Sequence, residues 1–147
     1  MTTLLDANTL IALCWPRHEH HAVMVEWFGR HARQGWATSA LTQAAFVRIV
    51  SQPAFSGRSI GIAEVAELLA RNTQHRQHRL LALDFGFTEV LACCSGGLHG
   101  HRQVTDAYLL TLAVRSGARL LTFDNGIGQL LATPAERQQH LRVLLQA

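Results

Sequence analysis

The chain has 147 residues, a formal net charge of +3 and 48% hydrophobic side chains. That length fits one folded domain spanning residues 1–147 with a sizeable core, and the composition excludes a disordered chain. No run approaches the roughly 18 apolar residues of a membrane span, and Asp6 and Asn8 break the N-terminal apolar run, so no signal peptide is expected and the setting is expected to be cytoplasmic.

Residues 2–6 read as a buried strand that ends at Asp6. Asn8 or Thr9 caps a short helix through Ala12–Trp15, stopped near Pro16. From His18 to Arg33, Ala22, Val25, Phe28 and Ala32 recur at helical spacing. Trp36–Thr38 is a short strand. Ser39 or Thr42 caps the next helix, striped by Phe46, Val47, Ile49 and Val50 and ending before Pro53. Residues 56–59 read as a loop and 60–75 as a helix with Ile62, Val65, Ala66 and Leu69 inward. Leu80–Leu83 is a strand, and Thr88–Cys94 a short helix broken by Ser95-Gly96-Gly97. A helix over 104–116 closes at Gly117. Ala118–Phe123 is a strand, Ile127–Leu131 a short helix, and Leu141–Leu145 a last strand. Alternating strands and helices predict an α/β fold, helices packed around a mainly parallel sheet.

Ligands in such folds bind beyond the carboxyl ends of the strands. Three of the chain's four aspartates map there: Asp6 and Asp124 close strands, and Asp106 opens a helix. Each has a plain structural explanation, as a helix cap, a partner for the helix dipole or a turn residue. Together, carboxylates beside core segments lose hydration and need a partner. A cluster of them calls for a hard cation, Mg²⁺ or Mn²⁺, and for chemistry on phosphate esters. Asp84 reads as a surface loop residue. All thirteen residues of the Lys+Arg total are arginine, whose guanidinium pairs bidentately with phosphate, but a charge of +3 alone is weak support for nucleic acid.

The remaining chemistry-bearing residues are quieter. Cys14, Cys93 and Cys94 have no zinc spacing and read as small packed hydrophobes. His18, His20 and His21 are too compressed for a zincin-type motif and read as exposed polar residues, whereas His101 lies close to Asp106. Trp15 lies near the first aspartate, where a ring could stack on an RNA base, though a core role is the plainer reading.

Leu4-Leu5-Asp6-Ala7-Asn8, Thr38-x-x-x-Thr42 with Val47-Arg48, Gly100-His101-Arg102-Gln103-Val104-Thr105-Asp106-Ala107-Tyr108-Leu109, and Leu121-Thr122-Phe123-Asp124 occur in that order. With them the chain resembles, end to end, the PIN-domain ribonucleases, and most of all the VapC-type toxins of toxin–antitoxin pairs. The resemblance implies a three-layer α/β/α fold with a mainly parallel sheet. It implies Mg²⁺- or Mn²⁺-dependent endonucleolytic cleavage of RNA, with tRNA or rRNA as the expected substrate. It also implies a homodimer and a small cognate antitoxin. Asp6, Asp106 and Asp124 match three acidic, metal-binding positions of the family. Gln43 stands where the family usually has a glutamate, so the site holds three carboxylates rather than four, and weaker metal binding is expected. Asn8, Thr105 and Asn125 are expected to steady the carboxylates, and Arg102 and Arg48 to contact RNA phosphates.

Gln43 also keeps open a second reading, a catalytically attenuated PIN-like module that binds RNA or a protein without efficient cleavage. A third reading fares worse: Asp6-Ala7-Asn8-Thr9 faintly resembles the D-x-D-x-T of haloacid-dehalogenase-type phosphatases, but the second aspartate and any lysine are missing.

Overall fold

A computed structural model describes residues 1–144 and shows five strands in one sheet. They are β1 (Thr3–Leu5), β2 (Trp36–Ser39), β3 (His78–Leu81), β4 (Arg119–Thr122) and β5 (Leu141–Val143). Their order is β3-β2-β1-β4-β5, and every pairing is parallel. Strands covered on both faces need apolar side chains pointing both ways, and this is why β1 and β4 read as continuous apolar runs. Leu4, Ala37 and Leu120 face one core; Leu5, Trp36 and Leu121 face the other.

Helices α1 (Ala7–Cys14), α2 (His21–His31), α3 (Ala40–Val50) and α5 (Ile62–Thr73) contribute to the second core through Leu10, Met24, Phe46 and Val65 among others. The single turn α4 (Pro53–Ser56) follows α3 and leads into the loop expected at residues 56–59. Helices α6 (Phe87–Cys93) and α7 (Val104–Arg115) pack on the opposite face through Val90, Leu109 and Leu112. Gly117 takes φ +63 directly after α7, a left-handed conformation that ends the helix cheaply only at glycine. The result is the three-layer α/β/α sandwich. Among the described residues no helix is long and apolar enough to cross a membrane.

Several boundaries move. The first helix begins directly after Asp6, whose own carboxylate is the N-cap. On α2 the buried residue is Met24, flanked by half-buried Trp27 and Phe28, while Ala22 and Val25 are exposed. The expected Phe28 and Ala32 do face inward, and Met24 and Trp27 rather than Ala22 and Val25 complete that face. Strand β3 starts two residues before Leu80, because its register follows Trp36–Ser39 and its solvent-facing Arg79 and Leu80 hide any alternation. Helix α8 (Pro134–His140) is an addition to the expected elements; Thr133 and Glu136 form a reciprocal capping box with Pro134 at its first position. The last strand is real but short, and Leu145 lies outside the described residues.

Candidate active site

Asp6 leaves the carboxyl end of β1, the middle strand, at the point where α1 begins. Its amide donates to the Leu121 carbonyl at 2.9 Å, so its backbone is tied to β4. Its carboxylate is buried, and each oxygen accepts one hydrogen bond: Oδ1 from the Ala7 amide at 2.7 Å, and Oδ2 from the Thr122 hydroxyl at 2.7 Å. Thr9 reinforces the junction by donating its hydroxyl toward the Asp6 and Leu121 carbonyls, at 2.9 and 3.1 Å.

Thr122, the last residue of β4, is the hub of this network. It is wholly buried. A hydroxyl has one proton and two lone pairs. The proton goes to Asp6, and the lone pairs accept from Asn8 Nδ2 at 3.4 Å and from the Asp124 amide at 3.1 Å. One side chain thereby holds three of the expected site residues in register. Asp124 then turns the chain, its Oδ1 accepting from the Gly126 amide at 2.7 Å, with exposed Asn125 between them. Thr122 is a site residue that the sequence reading does not single out; a hydroxyl two residues before a strand-end aspartate is the signal that could have found it.

Asp106 arrives from the opposite helical layer, in the first turn of α7. Burial, then the charges of Asp6 and Asp124, push its carboxyl up to about 6. Asp6 is raised above the ordinary range as well, first by burial and with a contribution from Asp124, against the lowering effect of its Thr122 and Ala7 hydrogen bonds. The three carboxylates therefore share one field. Among the described residues none of them forms a salt bridge.

That electrostatic imbalance fits a hard divalent cation held by oxygen donors. A second observation agrees: Asn8 Oδ1, beside Asp6 and Thr122, is the buried side-chain polar atom left without a partner among the described residues. The aspartates do not close into a ready-made coordination shell, since among the described residues no group of three His, Cys, Asp or Glu side chains stands at metal-holding distances. The donors suit a cation by chemistry and charge.

The other expected residues lie apart from this network. Gln43, on α3, donates its amide to the Thr38 hydroxyl at 2.9 Å, and Thr38 meets His78 Nε2 at 2.8 Å. No hydrogen bond among the described residues joins Gln43 to the aspartates. Arg48 is exposed in the last turn of α3. Arg102 and His101 are exposed in a 3-10 turn just before α7, and Thr105 is exposed in the first turn of that helix. Asp84 is exposed, as expected.

Sequence comparison agrees with this architecture. The PIN domain model matches residues 3–130. The chain is similar to ribonuclease VapC38 of Mycobacterium tuberculosis, with 46% identity over 84% of this chain and 86% of that protein. It is similar to ribonuclease VapC44 of the same organism, with 40% identity over 98% of this chain and 100% of the relative. Ribonuclease VapC39 of that organism is 41% identical over 84% and 89% of the two chains. The chain belongs to the PIN-domain family, in its VapC branch.

Proposed function

We propose that this protein is a metal-dependent endoribonuclease, the toxin of a toxin–antitoxin pair, folded as a single PIN-like domain over residues 1–147. The observation that carries the reading is the trio Asp6, Asp106 and Asp124, which concentrates uncompensated negative charge at the carboxyl edge of a parallel sheet. A Mg²⁺ or Mn²⁺ ion held there supplies Lewis acidity and a nucleophilic water for hydrolysis of a phosphodiester.

The chain's own residues do the rest. Asp6 and Asp106 are the first choices as metal ligands. Each carboxylate oxygen of Asp6 accepts one hydrogen bond and keeps a lone pair free. Asp124 would help to hold the ion, directly or through water, or would orient the water. Asn8 and Thr122 fix the direction of the Asp6 carboxylate, and Thr105 and Asn125 are the residues assigned to steady Asp106 and Asp124. Gln43 keeps its amide on Thr38 and offers only a neutral carbonyl oxygen, so the fourth acidic position of the family contributes no charge. Arg102 and Arg48 are the arginines assigned to RNA phosphates. The expected substrate is a tRNA or rRNA in the cytoplasm, the active form a homodimer, and the inhibitor a small cognate antitoxin.

Incubating total cellular RNA with purified protein in Mg²⁺, Mn²⁺ or EDTA tests the reading, with Asp6→Asn alongside. Discrete fragments that vanish with EDTA and in the variant are expected. Folded protein that cuts nothing with either metal would replace this reading by the attenuated binding module that Gln43 suggests.

A further inference from the structure

At the amino end of the sheet, opposite the aspartates, β1, β4 and β5 turn polar and basic side chains toward the α2 layer. Alternate residues of a strand share a face. Thr3 pairs with Arg119 across β1 and β4, and Leu121 pairs with Arg142 across β4 and β5. Thr3, Arg119 and Arg142 therefore stand on the same face as the core residues Leu5 and Leu121. β5 is an edge strand, and the helix packed beside it is α8, which also meets α7 and so belongs to the other layer. The α2 side of β5 opens instead into a cavity of about 220 Å³, whose walls include Thr3, Trp27, His31, Gln34, Arg119 and Arg142. A second cavity, of about 320 Å³, shares both arginines.

The lining is cationic and has no counter-charge. No acidic side chain lines the first cavity, and among the described residues neither arginine forms a salt bridge. Arg30, in the last turn of α2, differs, because it already pairs with Glu26 at 2.7 Å. Arg119 is half-buried and tethered: its Nε donates to the Gln139 carbonyl of α8 at 3.2 Å, which leaves both Nη groups as donors. His31 stacks on Trp27 one helical turn away, with ring centroids 5.2 Å apart and planes at 27°, and this packing steadies the imidazole in the cavity wall. Thr3 and Gln34 add a hydroxyl and an amide. Neighbouring guanidinium groups repel each other, and an anion between them relieves the repulsion. Their planar forks pair bidentately with phosphate oxygens, and the imidazole, hydroxyl and amide are further donors. The cavity lies below the roughly 300 Å³ at which pockets for drug-sized ligands begin, so the group recognised is compact.

We propose that this cavity is a binding site for a compact phosphate anion, either pyrophosphate or the phosphate group of a small phosphomonoester, held between Arg119 and Arg142 with His31, Thr3 and Gln34 as further donors. An anion seated there ties α2 to β4 and β5. It lies at the opposite ends of the strands that lead to Asp6 and Thr122, so the site is separate from the aspartates and does not depend on the ribonuclease reading.

Calorimetric titration of the full-length protein tests the site. It is run at constant ionic strength and in EDTA, which prevents a metal from bridging an anion to the aspartates. Pyrophosphate, inorganic phosphate and adenosine 5′-monophosphate are titrated in turn, with sodium chloride as the control. Saturable, single-site binding of at least one of the three phosphates is expected, and none of chloride. Arg142→Gln, at an exposed position, should weaken that binding about 10-fold or more, as should Arg119→Gln, in line with the loss of a charge-assisted hydrogen bond. Arg79→Gln, exposed on the opposite edge strand β3, should leave it unchanged. The bound anion should also raise the unfolding midpoint of the parent and not that of Arg142→Gln. Tighter binding of adenosine monophosphate than of the two inorganic anions supports a nucleotide as the occupant, and the reverse order supports a free inorganic phosphate. No saturation by any of the three at about millimolar concentration, or undiminished affinity in folded Arg142→Gln and Arg119→Gln, overturns the proposal. So does a surface that binds RNA through Arg142 but none of the small anions.

Discussion

The carboxyl edge of the sheet ends in two threonines with opposite surroundings. Thr122 closes β4 and Thr38 lies one residue from the end of β2; both are wholly buried. Thr122 gives its proton to a carboxylate and stands among three aspartates. Thr38 accepts from the Gln43 amide and meets the His78 imidazole, with the Trp36 ring 4.7 Å from that imidazole. The same residue type thus completes a neutral, self-sufficient network on one half of the edge and a charged, unbalanced one on the other. Hydrogen bonding satisfies the β2 side, whereas the β1–β4 half keeps the unpartnered Asn8 Oδ1 and a negative charge suited to an external cation.

The largest effect should come from removing that charge. Asp6→Asn keeps volume and the bond from Thr122 but loses a ligand charge, and RNA cleavage should fall by at least about 100-fold, beyond what outer hydrogen-bonding partners usually cost. Thr122→Val is the next strongest break. It strips Asp6, Asn8 and the Asp124 amide of a shared partner, and Mn²⁺ affinity measured by calorimetry should drop by about 10- to 100-fold, whereas Thr122→Ser should retain it. An equal loss in Thr38→Val would erase the distinction between the two halves.

The charged half should also betray itself without any metal. An aspartate titrates near 3.9 in an unfolded chain, and Asp106 in the fold is pushed up to about 6. The folded state therefore binds this proton more tightly, and stability of the metal-free protein is lost as pH rises from about 4 through about 6, then levels. Asp106→Asn removes the penalty. Its unfolding midpoint should exceed that of the parent by about 3 °C or more at pH 7–8, with the gap closing toward pH 4. Mg²⁺ or Mn²⁺ should raise the midpoint of the parent and not that of the variant. A gap that does not depend on pH would mean that neither burial nor its neighbours' charge raises the Asp106 carboxyl.

Legibility followed the range of the interaction. Asp6 and Asp124 can be read as strand ends because each closes an apolar run only a few residues long, and the α/β alternation comes from the same local pattern. The Thr122 hub cannot, because its bond to Asp6 spans 116 residues and exists only once β4 lies beside β1. Nor can the Thr38–His78 link, which spans 40 residues and depends on β2 and β3 being neighbours. The inward face of α2 differs from its expected one for a packing reason: Met24 fills the core and exposed Val25 does not, although both fit a helical period. Helix α8, by contrast, is written locally in Thr133-Pro134-Ala135-Glu136, a capping signal that a search for apolar stripes passes over.

The smallest effect sharpens the neutral half. Gln43 donates to Thr38, so the Thr38 proton is free to go to His78 Nε2. That direction suits a neutral imidazole, and burial, followed by the charge of His75, keeps His78 below its ordinary range. Gln43→Glu reverses the first link, because a carboxylate can only accept. Thr38 must then give its proton to the new carboxylate, His78 must donate through Nε2, and the added negative charge favours the imidazolium. The His78 titration, followed by NMR, should therefore move upward in Gln43→Glu, and RNA cleavage should change by less than the effect expected at Thr122. An unmoved His78 with a large gain in cleavage would show instead that position 43 belongs, electrostatically, to the aspartate half of the edge.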